Sequence, residues 1–468
     1  MLKLRDYQEQ AVGNIRQSFI SGKRAPLLVL PTGGGKTVVF SYIAATTAAR
    51  GKRVLILVHR VELLRQTSAA LTKASVRHGL VNPQYTPDIM APVQVASVQT
   101  IIKRLHLFQH FDLVVIDEAH HALANTWKKI IDHYDTARIL GVTATPCRAD
   151  GTGLGIEAGG VFDELILGPQ VPELIQRGYL VKPVIYAPAQ PLDLSGLRTR
   201  MGDYEKDALA EFMDKPTITG DAVAHYQRLC PGVPAVAFCV SVNHAMQVAE
   251  EFRRAGYRAY HADGSLDDDV RKRILNGLGN GTVDVVTSCD LISEGTDIPA
   301  IGAAILLRPT QSLGLYLQQV GRALRPCAGK DRAVILDHVG NVLTHGLPDE
   351  LREWTLEGER KRKGKSKEQE KTIPVKQCEK CYAIHEPAPR CPVCGHVYEI
   401  KQDAPKQIDG ELVELTAEQK LRIRKQKVTE VARARTLEEL ERIAQQRGYK
   451  NGWARHIFNS RNQKQQTS

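Results

Sequence analysis

The sequence predicts an α/β protein: two parallel-sheet domains, then a small cysteine-rich module and a basic helical tail. Three observations predict it. Short apolar runs alternate with helical stretches in two separate series, a glycine cluster stands between the series, and the composition changes after residue 350. At 468 residues the chain is too long for one ordinary core, so two or three domains are expected. A hydrophobic content of 43% with only 6% aromatics suits a water-soluble α/β protein.

The first series places apolar runs at residues 27–30, 54–58, 93–96, 113–116 and 139–142. Continuous rather than alternating apolar residues mark strands covered on both faces, and helices between them make the connections parallel βαβ crossovers. From 148 to 218 the pattern loosens, with Gly151, Gly153, Gly155, Gly159 and Gly160 close together, which reads as a connector. The second series follows at 235–239, 257–261, 283–287, 303–307 and 333–336, so two sheets facing each other are expected. The resulting boundaries are 1–168 for the first domain, 169–217 for the connector and 218–350 for the second domain. A charged linker, 351–373, carries the run Arg360-Lys361-Arg362-Lys363-Gly364-Lys365-Ser366-Lys367, which has nothing apolar to bury.

Directly after the first apolar run comes Pro31-Thr32-Gly33-Gly34-Gly35-Lys36-Thr37, followed by a helix-like stretch ending near Gly51. A strand that turns through three glycines into a helix leaves backbone N–H groups aimed at one spot. A chain of phosphates fills that spot, helped by the positive end of the helix dipole. Lys36 adds a point charge within reach of the β- and γ-phosphates, and Thr37 offers a hydroxyl to Mg²⁺. Leu30 stands where the strict motif has its first glycine.

A second site ends the fourth run. Asp117-Glu118-Ala119-His120 follows Leu113-Val114-Val115-Ile116, which reads as a buried central strand. Two adjacent carboxylates at such a tip are costly unless something cationic faces them. In phosphoryl-transfer enzymes the first carboxylate helps hold Mg²⁺ and the second orients or deprotonates the attacking water. Together the two sites predict ATP hydrolysis.

In the second series, Gln318-Gln319-Val320-Gly321-Arg322-Ala323-Leu324-Arg325 places Arg322 and Arg325 three apart, on one face of an expected helix. Two arginines at that spacing are common on any surface. Beside a nucleotide they gain a purpose, since guanidinium groups stabilise charge on a transferring phosphoryl group.

Nine cysteines divide into five scattered ones and a group of four, Cys378, Cys381, Cys391 and Cys394, in two Cys-x₂-Cys pairs with nine residues between them. Four soft ligands in two close pairs suit tetrahedral Zn²⁺, with Pro392 and Gly395 shaping the second turn. His385 and His396 are competing ligands; two disulfides or a redox pair are the alternatives. The expected module, 374–400, has little core of its own, so zinc would supply its folding energy. DNA contact and protein docking are equally open roles for it.

The remaining region, 401–468, is expected to be basic and helical. From Leu351 onward 26 Lys and Arg stand against 17 Asp and Glu, a net of +9 out of a chain total of +11. That asymmetry suggests a polyanion-binding appendage, against the simpler alternative of a solvated tail. A helix is expected over 416–434, and Thr436-Leu437-Glu438-Glu439 has the form of a helix start. Tyr449 and Trp453 lie among basic residues and could stack on bases or form the core of a small helical unit. No run approaches the ~20 apolar residues of a membrane span, and no cleavable leader is expected. The cysteine distribution and these absences lead to an expected cytoplasmic setting.

These motifs, in this order, resemble a superfamily 2 helicase or translocase with two RecA-like domains and ATP at their interface. Leu4-Arg5-Asp6-Tyr7-Gln8 resembles the adenine-recognition motif, with Gln8 as the implied base reader. Residues 30–37 resemble Walker A, and Asp117–His120 resembles Walker B in its DEAH form. His59-Arg60-Val61-Glu62-Leu63 and Ser97-Val98-Gln99-Thr100 resemble motifs Ia and Ib, and Phe238-Cys239-Val240-Ser241 resembles motif IV. Thr143-Ala144-Thr145-Pro146 is similar to motif III, and Ser293-Glu294-Gly295-Thr296-Asp297-Ile298-Pro299 to motif V. Segment 318–325 is similar to motif VI. The resemblance implies Lys36, Asp117, Glu118, Gln318, Arg322 and Arg325 as catalytic. Gly295 and Asp297 would approach the nucleotide, and Arg60, Gln99, Thr100 and Ser241 would lie along nucleic acid. The likeness is nearest the bacterial RadD-like and restriction-motor (Res subunit) branch, which implies DNA as the polymer, repair, recombination or replication as the setting, and repair or replication proteins as partners of the C-terminal region. An RNA helicase and an ATP-gated remodelling factor that does not unwind are the alternatives.

Overall fold

The computed structural model describes residues 2–122, 125–148, 153–188, 194, 196–200, 203–213, 217–264, 266–289, 298, 300–357, 376–377, 384–385, 390, 413–414, 436–446 and 454. The first lobe runs α1 (Asp6–Ile20), β1 (Pro26–Val29), α2 (Lys36–Ala48), β2 (Val54–Val58), α3 (Val61–Lys73), β3 (His78–Val81), β4 (Val93–Ser97), α4 (Val98–Ile101), β5 (Leu113–Asp117), α5 (Asn125–His133), β6 (Arg138–Thr143) and β7 (Glu164–Leu167). Its seven strands form one parallel sheet in the order β3-β4-β2-β5-β6-β1-β7.

The sequence shows why β2 and β5 are central. Every residue of Val54–Val58 and of Leu113–Asp117 is buried. Successive side chains on a strand point to opposite faces. Accordingly Val54, Ile56 and Val58 enter one core while Leu55 and Leu57 enter the core on the other face. A strand with helices on both faces has no polar side, hence the continuous apolar run.

After α6 (Val171–Gln176), β8 (Lys182–Ala187) opens the second lobe. A short hairpin, β9 (Thr199–Arg200) with β10 (Asp203–Tyr204), and helices α7 (Lys206–Met213) and α8 (Thr217–Leu229) follow. The rest of the lobe is β11 (Ala235–Phe238), α9 (Val242–Arg254), β12 (Ala259–Ala262), α10 (Asp268–Asn280), β13 (Val285–Ser288), β14 (Ala303–Leu306), α11 (Leu313–Ala323), β15 (Arg332–Asp337) and α12 (Asn341–His345). Its strands order as β12-β13-β11-β14-β15-β8, all parallel.

Two expectations need correction. The connector expected over 169–217 is more than a connector, since it gives β8 to the second sheet, while β7 joins the first sheet within the expected first domain. The C-terminal region also contributes to the second sheet, since Val413–Glu414 pairs antiparallel with β8 at its open edge.

Residues 361 to 409 form a separate compact unit. Its described part is a two-stranded antiparallel ladder, Lys376–Gln377 (β16) against Ile384–His385 (β17); Val413–Glu414 is then β18. Cys378, Cys381, Cys391 and Cys394 lie outside the described residues, as does the helix expected over 416–434. The expected helix start is present: α13 (Leu437–Gln446) opens with Thr436 and Glu439 each accepting the other's backbone N–H, at 3.2 and 3.1 Å. None of the five described cysteines, Cys147, Cys230, Cys239, Cys289 and Cys327, forms a disulfide. Among the described residues no helix is long and apolar enough to cross a membrane.

Candidate functional site

The C-terminal ends of parallel strands are where an α/β sheet presents its loops and helix N-termini, and ligands bind there. The loop after β1 enters α2 through Gly33 (φ +86°) and Gly35 (φ +79°), a left-handed backbone that glycine adopts without steric cost. A side chain on Gly35 would also stand 2.4 Å from Gln8 Nε2. Lys36 and Thr37 are the first residues of α2, and the Lys36 ammonium folds back to 3.5 Å from the Leu30 carbonyl.

The tip of β5 brings the carboxylates to the same place. Asp117 and Glu118 are both buried. Glu118 sits at φ 48°, ψ 54°, a left-handed conformation that costs a non-glycine residue on the order of 1–3 kcal/mol. Its N–H donates to Asp117 Oδ1 at 3.0 Å. His120 Nδ1 is 3.5 Å from Glu118 Oε2 and 3.2 Å from Thr143 Oγ1, and that hydroxyl donates to the Thr145 carbonyl at 2.9 Å. The ends of β5 and β6 are thereby joined through one imidazole.

The second lobe reaches across to this cluster. Gln318 Nε2 donates to Glu118 Oε2 at 3.4 Å, a contact between residues 200 apart in the chain. Three residues along α11, a side chain on Gly321 would stand 2.5 Å from Thr32 Cβ, so the helix lies directly on the phosphate loop. Arg322 and Arg325 do not share a helical face as the spacing predicts: α11 ends at Ala323, Leu324 is its C-cap and Arg325 lies beyond. Both nevertheless line one open cavity with Arg5, Thr32, Gly33, Gly35, Lys36, Thr37, Asp117, Glu118 and Tyr179. Four cations and two carboxylates thus face one space.

Gln8 lies behind the loop instead of on the cavity wall. It is buried, its Oε1 accepts from Arg5 N at 3.0 Å, and its Nε2 lies 3.4 Å from the Gly34 carbonyl, which also accepts from Tyr7 Oη at 3.0 Å. Two residues that sequence reasoning missed stand on the wall. The Arg5 guanidinium lies 4.3 Å from the centre of the Tyr179 ring, which packs in turn 5.2 Å from Tyr7. Arg5 was within the recognised motif, but a lone tyrosine after α6 carries no local signal.

Outside the cavity, Arg60 is the half-buried N-cap of α3, and exposed Gln99 reaches 3.5 Å from the His59 carbonyl, so the two segments meet at the ends of β2 and β4. Thr100 is buried, and the Ser241 hydroxyl caps α9 by accepting from His244 N at 3.0 Å. Pro31 lines a neighbouring apolar cavity. Gly295 and Asp297 lie outside the described residues.

Comparison with known proteins agrees with this architecture. Residues 1–148 match the family of the type III restriction enzyme res subunit, and residues 223–327 match the helicase conserved C-terminal domain. A Lactococcus phage protein described only as a 51.5 kDa protein is 35% identical over 398 residues, covering 84% of this chain and 83% of that one. The Escherichia coli type I restriction enzyme EcoKI endonuclease subunit is 26% identical, over 70% of this chain and 33% of its own length. Among solved structures, the ATP-dependent type ISP restriction-modification enzyme LlaBIII bound to DNA superposes with a TM-score of 0.54 at 19% identity, over 71% of this chain and 27% of that one. The chain spans only about a third of these restriction proteins. Two parallel-sheet lobes, the first matching the res-subunit family and the second the helicase conserved C-terminal domain, place the chain among the superfamily 2 helicases, nucleic-acid-dependent ATPases.

Proposed function

We propose that the chain is an ATP-driven motor on DNA, serving repair, recombination or replication, with ATP bound between its two lobes. The observation that carries this is the Gln318–Glu118 contact, which joins the second lobe to the water-activating carboxylate of the first. Lys36 and the loop N–H groups hold the β- and γ-phosphates, while Arg5 and Tyr179 form a shelf for the base. Thr37 and Asp117 offer hard oxygen donors on one cavity wall and would hold Mg²⁺, which neutralises phosphate charge. Glu118 takes a proton from the attacking water, oriented by His120 and Gln318. Arg322 and Arg325 stabilise the charge that develops on the transferring phosphoryl group, an effect of about 10³–10⁵ in rate where such arginines are measured.

Because those arginines belong to the second lobe, hydrolysis requires the lobes to be closed, and product release lets them part. Arg60, Gln99, Thr100 and Ser241 are the proposed contacts to the strand, with Gly295 and Asp297 proposed beside the nucleotide. Such contacts go mainly to phosphates, so binding should be salt-sensitive and nearly sequence-independent. The relative named as a restriction endonuclease subunit and the structural neighbour bound to DNA support DNA as the polymer. The spacing of Cys378, Cys381, Cys391 and Cys394 supports a structural Zn²⁺, in a module that would contact DNA or partner proteins.

The test is ATPase activity titrated with RNA and with single-stranded, duplex and forked DNA. Wild type should be stimulated most by DNA, and Glu118→Gln should lower kcat by about 10²–10⁴. Lys36→Ala should abolish turnover with the fold intact. Wild-type turnover in either variant refutes the site, and stimulation by RNA alone refutes DNA as the polymer.

A further inference from the structure

Arg322 and Arg325 are held in different ways. Arg322 is buried within α11 and takes its position from the helix. Arg325 lies past the helix end, in a loop whose backbone needs other support. Its carbonyl accepts from Lys330 Nζ at 2.5 Å, and the same ammonium donates to the Ile301 carbonyl at 2.6 Å. Ile301 is fully buried just before β14, so it is a fixed point of the second sheet. The loop between is closed by Lys330 N donating to the Cys327 carbonyl at 3.2 Å, with Gly329 at φ +77°. On the other side, the Leu324 carbonyl accepts from Val181 N at 2.9 Å. The Arg325 peptide is pinned from both directions, and its side chain runs along the phosphate loop: a Cβ on Gly33 would stand 3.4 Å from Arg325 Cγ.

We propose that Lys330 is a positioning residue for the reaction in this cavity, its ammonium tying the Arg325 peptide to the start of β14 and so fixing where the Arg325 guanidinium stands. This rests on the assignment of the cavity as the ATP site. A solvated surface lysine would hold neither carbonyl. Burial pulls the Lys330 ammonium down to about 8, and the nearby Arg325 charge adds to the shift. An interaction that positions a transition-state group changes kcat more than KM.

The experiment is a double-mutant cycle on the full chain, reading steady-state ATPase at saturating DNA. Lys330→Met should lower kcat about tenfold while leaving KM for ATP within about threefold. In an Arg325→Ala background the same substitution should change kcat by less than about twofold, because its target is gone. Lys330→Gln, which keeps two N–H donors one bond nearer the backbone, should lose less kcat than Lys330→Met; if Lys330→Met fails to fold by circular dichroism, the same cycle is read with Lys330→Gln. Multiplicative losses in the double variant, or unchanged kcat in the single one, overturn the proposal and leave the site assignment standing. An Arg325→Ala variant with wild-type kcat overturns both.

Discussion

Arg271 Nη2 on α10 of the second lobe lies 3.1 Å from Glu62 Oε1 on α3 of the first. Each partner has a neighbour one helical turn away: Arg271 also pairs with Asp268, and Asp268 with Arg65. Four charges alternate across the gap between lobes, and Arg65 foremost holds the Asp268 carboxyl below its ordinary range. Arg271 is only 8% exposed, which screens this pair less than a surface one. Glu62→Gln and Arg271→Gln should each weaken kcat/KM for ATP, with a coupling on the order of 1 kcal/mol between them. Strict additivity in the cycle would show that the contact does not assist closure.

Gly321 marks where α11 meets the phosphate loop. A methyl group there would stand 2.5 Å from Thr32 Cβ and 2.9 Å from Thr32 Cγ2, so the helix must retreat. Gly321→Ala should cut kcat by about tenfold or more, since a small displacement of aligned groups is costly to rate. Gly13, on the exposed face of α1, has open space around its would-be Cβ. Gly13→Ala should raise stability by about 0.4–1 kcal/mol without touching turnover. Equal kinetics in the two variants would contradict the close packing.

Tyr179 carries a prediction about the base. Losing the ring should raise KM for ATP by about three- to thirtyfold, the span of a desolvated cation–π and stacking contact. Tyr179→Trp should stay near wild type, and kcat should change little in either. A Tyr179→Ala enzyme with unaltered KM would place the base elsewhere.

The cysteine pairs predict one Zn²⁺ per chain in elemental analysis of the purified protein. Cys381→Ser should lose the metal while DNA-free ATPase survives, because the cysteines belong to the separate unit of residues 361–409. Metal-free wild-type protein would end the zinc proposal.

Sequence legibility followed burial. Strands β2 and β11 throughout, and β5 up to its terminal Asp117, are apolar because both faces are covered, and their runs stand out in the chain. Strand β8 alternates exposed or half-exposed with buried residues, and β3 alternates half-exposed with buried ones, so neither is buried on both faces like the central strands. The site divides along the same line. Gly33, Gly35, Lys36, Asp117 and Glu118 were legible because each motif is contiguous and its chemistry local. Tyr179 was not, because its role arises from Arg5, nearly 175 residues earlier.

The sequence by itself determined the inventory: two α/β series, a phosphate loop, a carboxylate tip and two arginines three residues apart. Tertiary structure alone decided that these meet in one cavity, that Arg325 leaves the helix to lie along Gly33, and that β7 and β8, neighbours in the chain, join different sheets. The physical reason is range. Hydrophobic periodicity and turn chemistry act over a few residues and are written locally, whereas convergence across 200 positions depends on how the completed lobes pack.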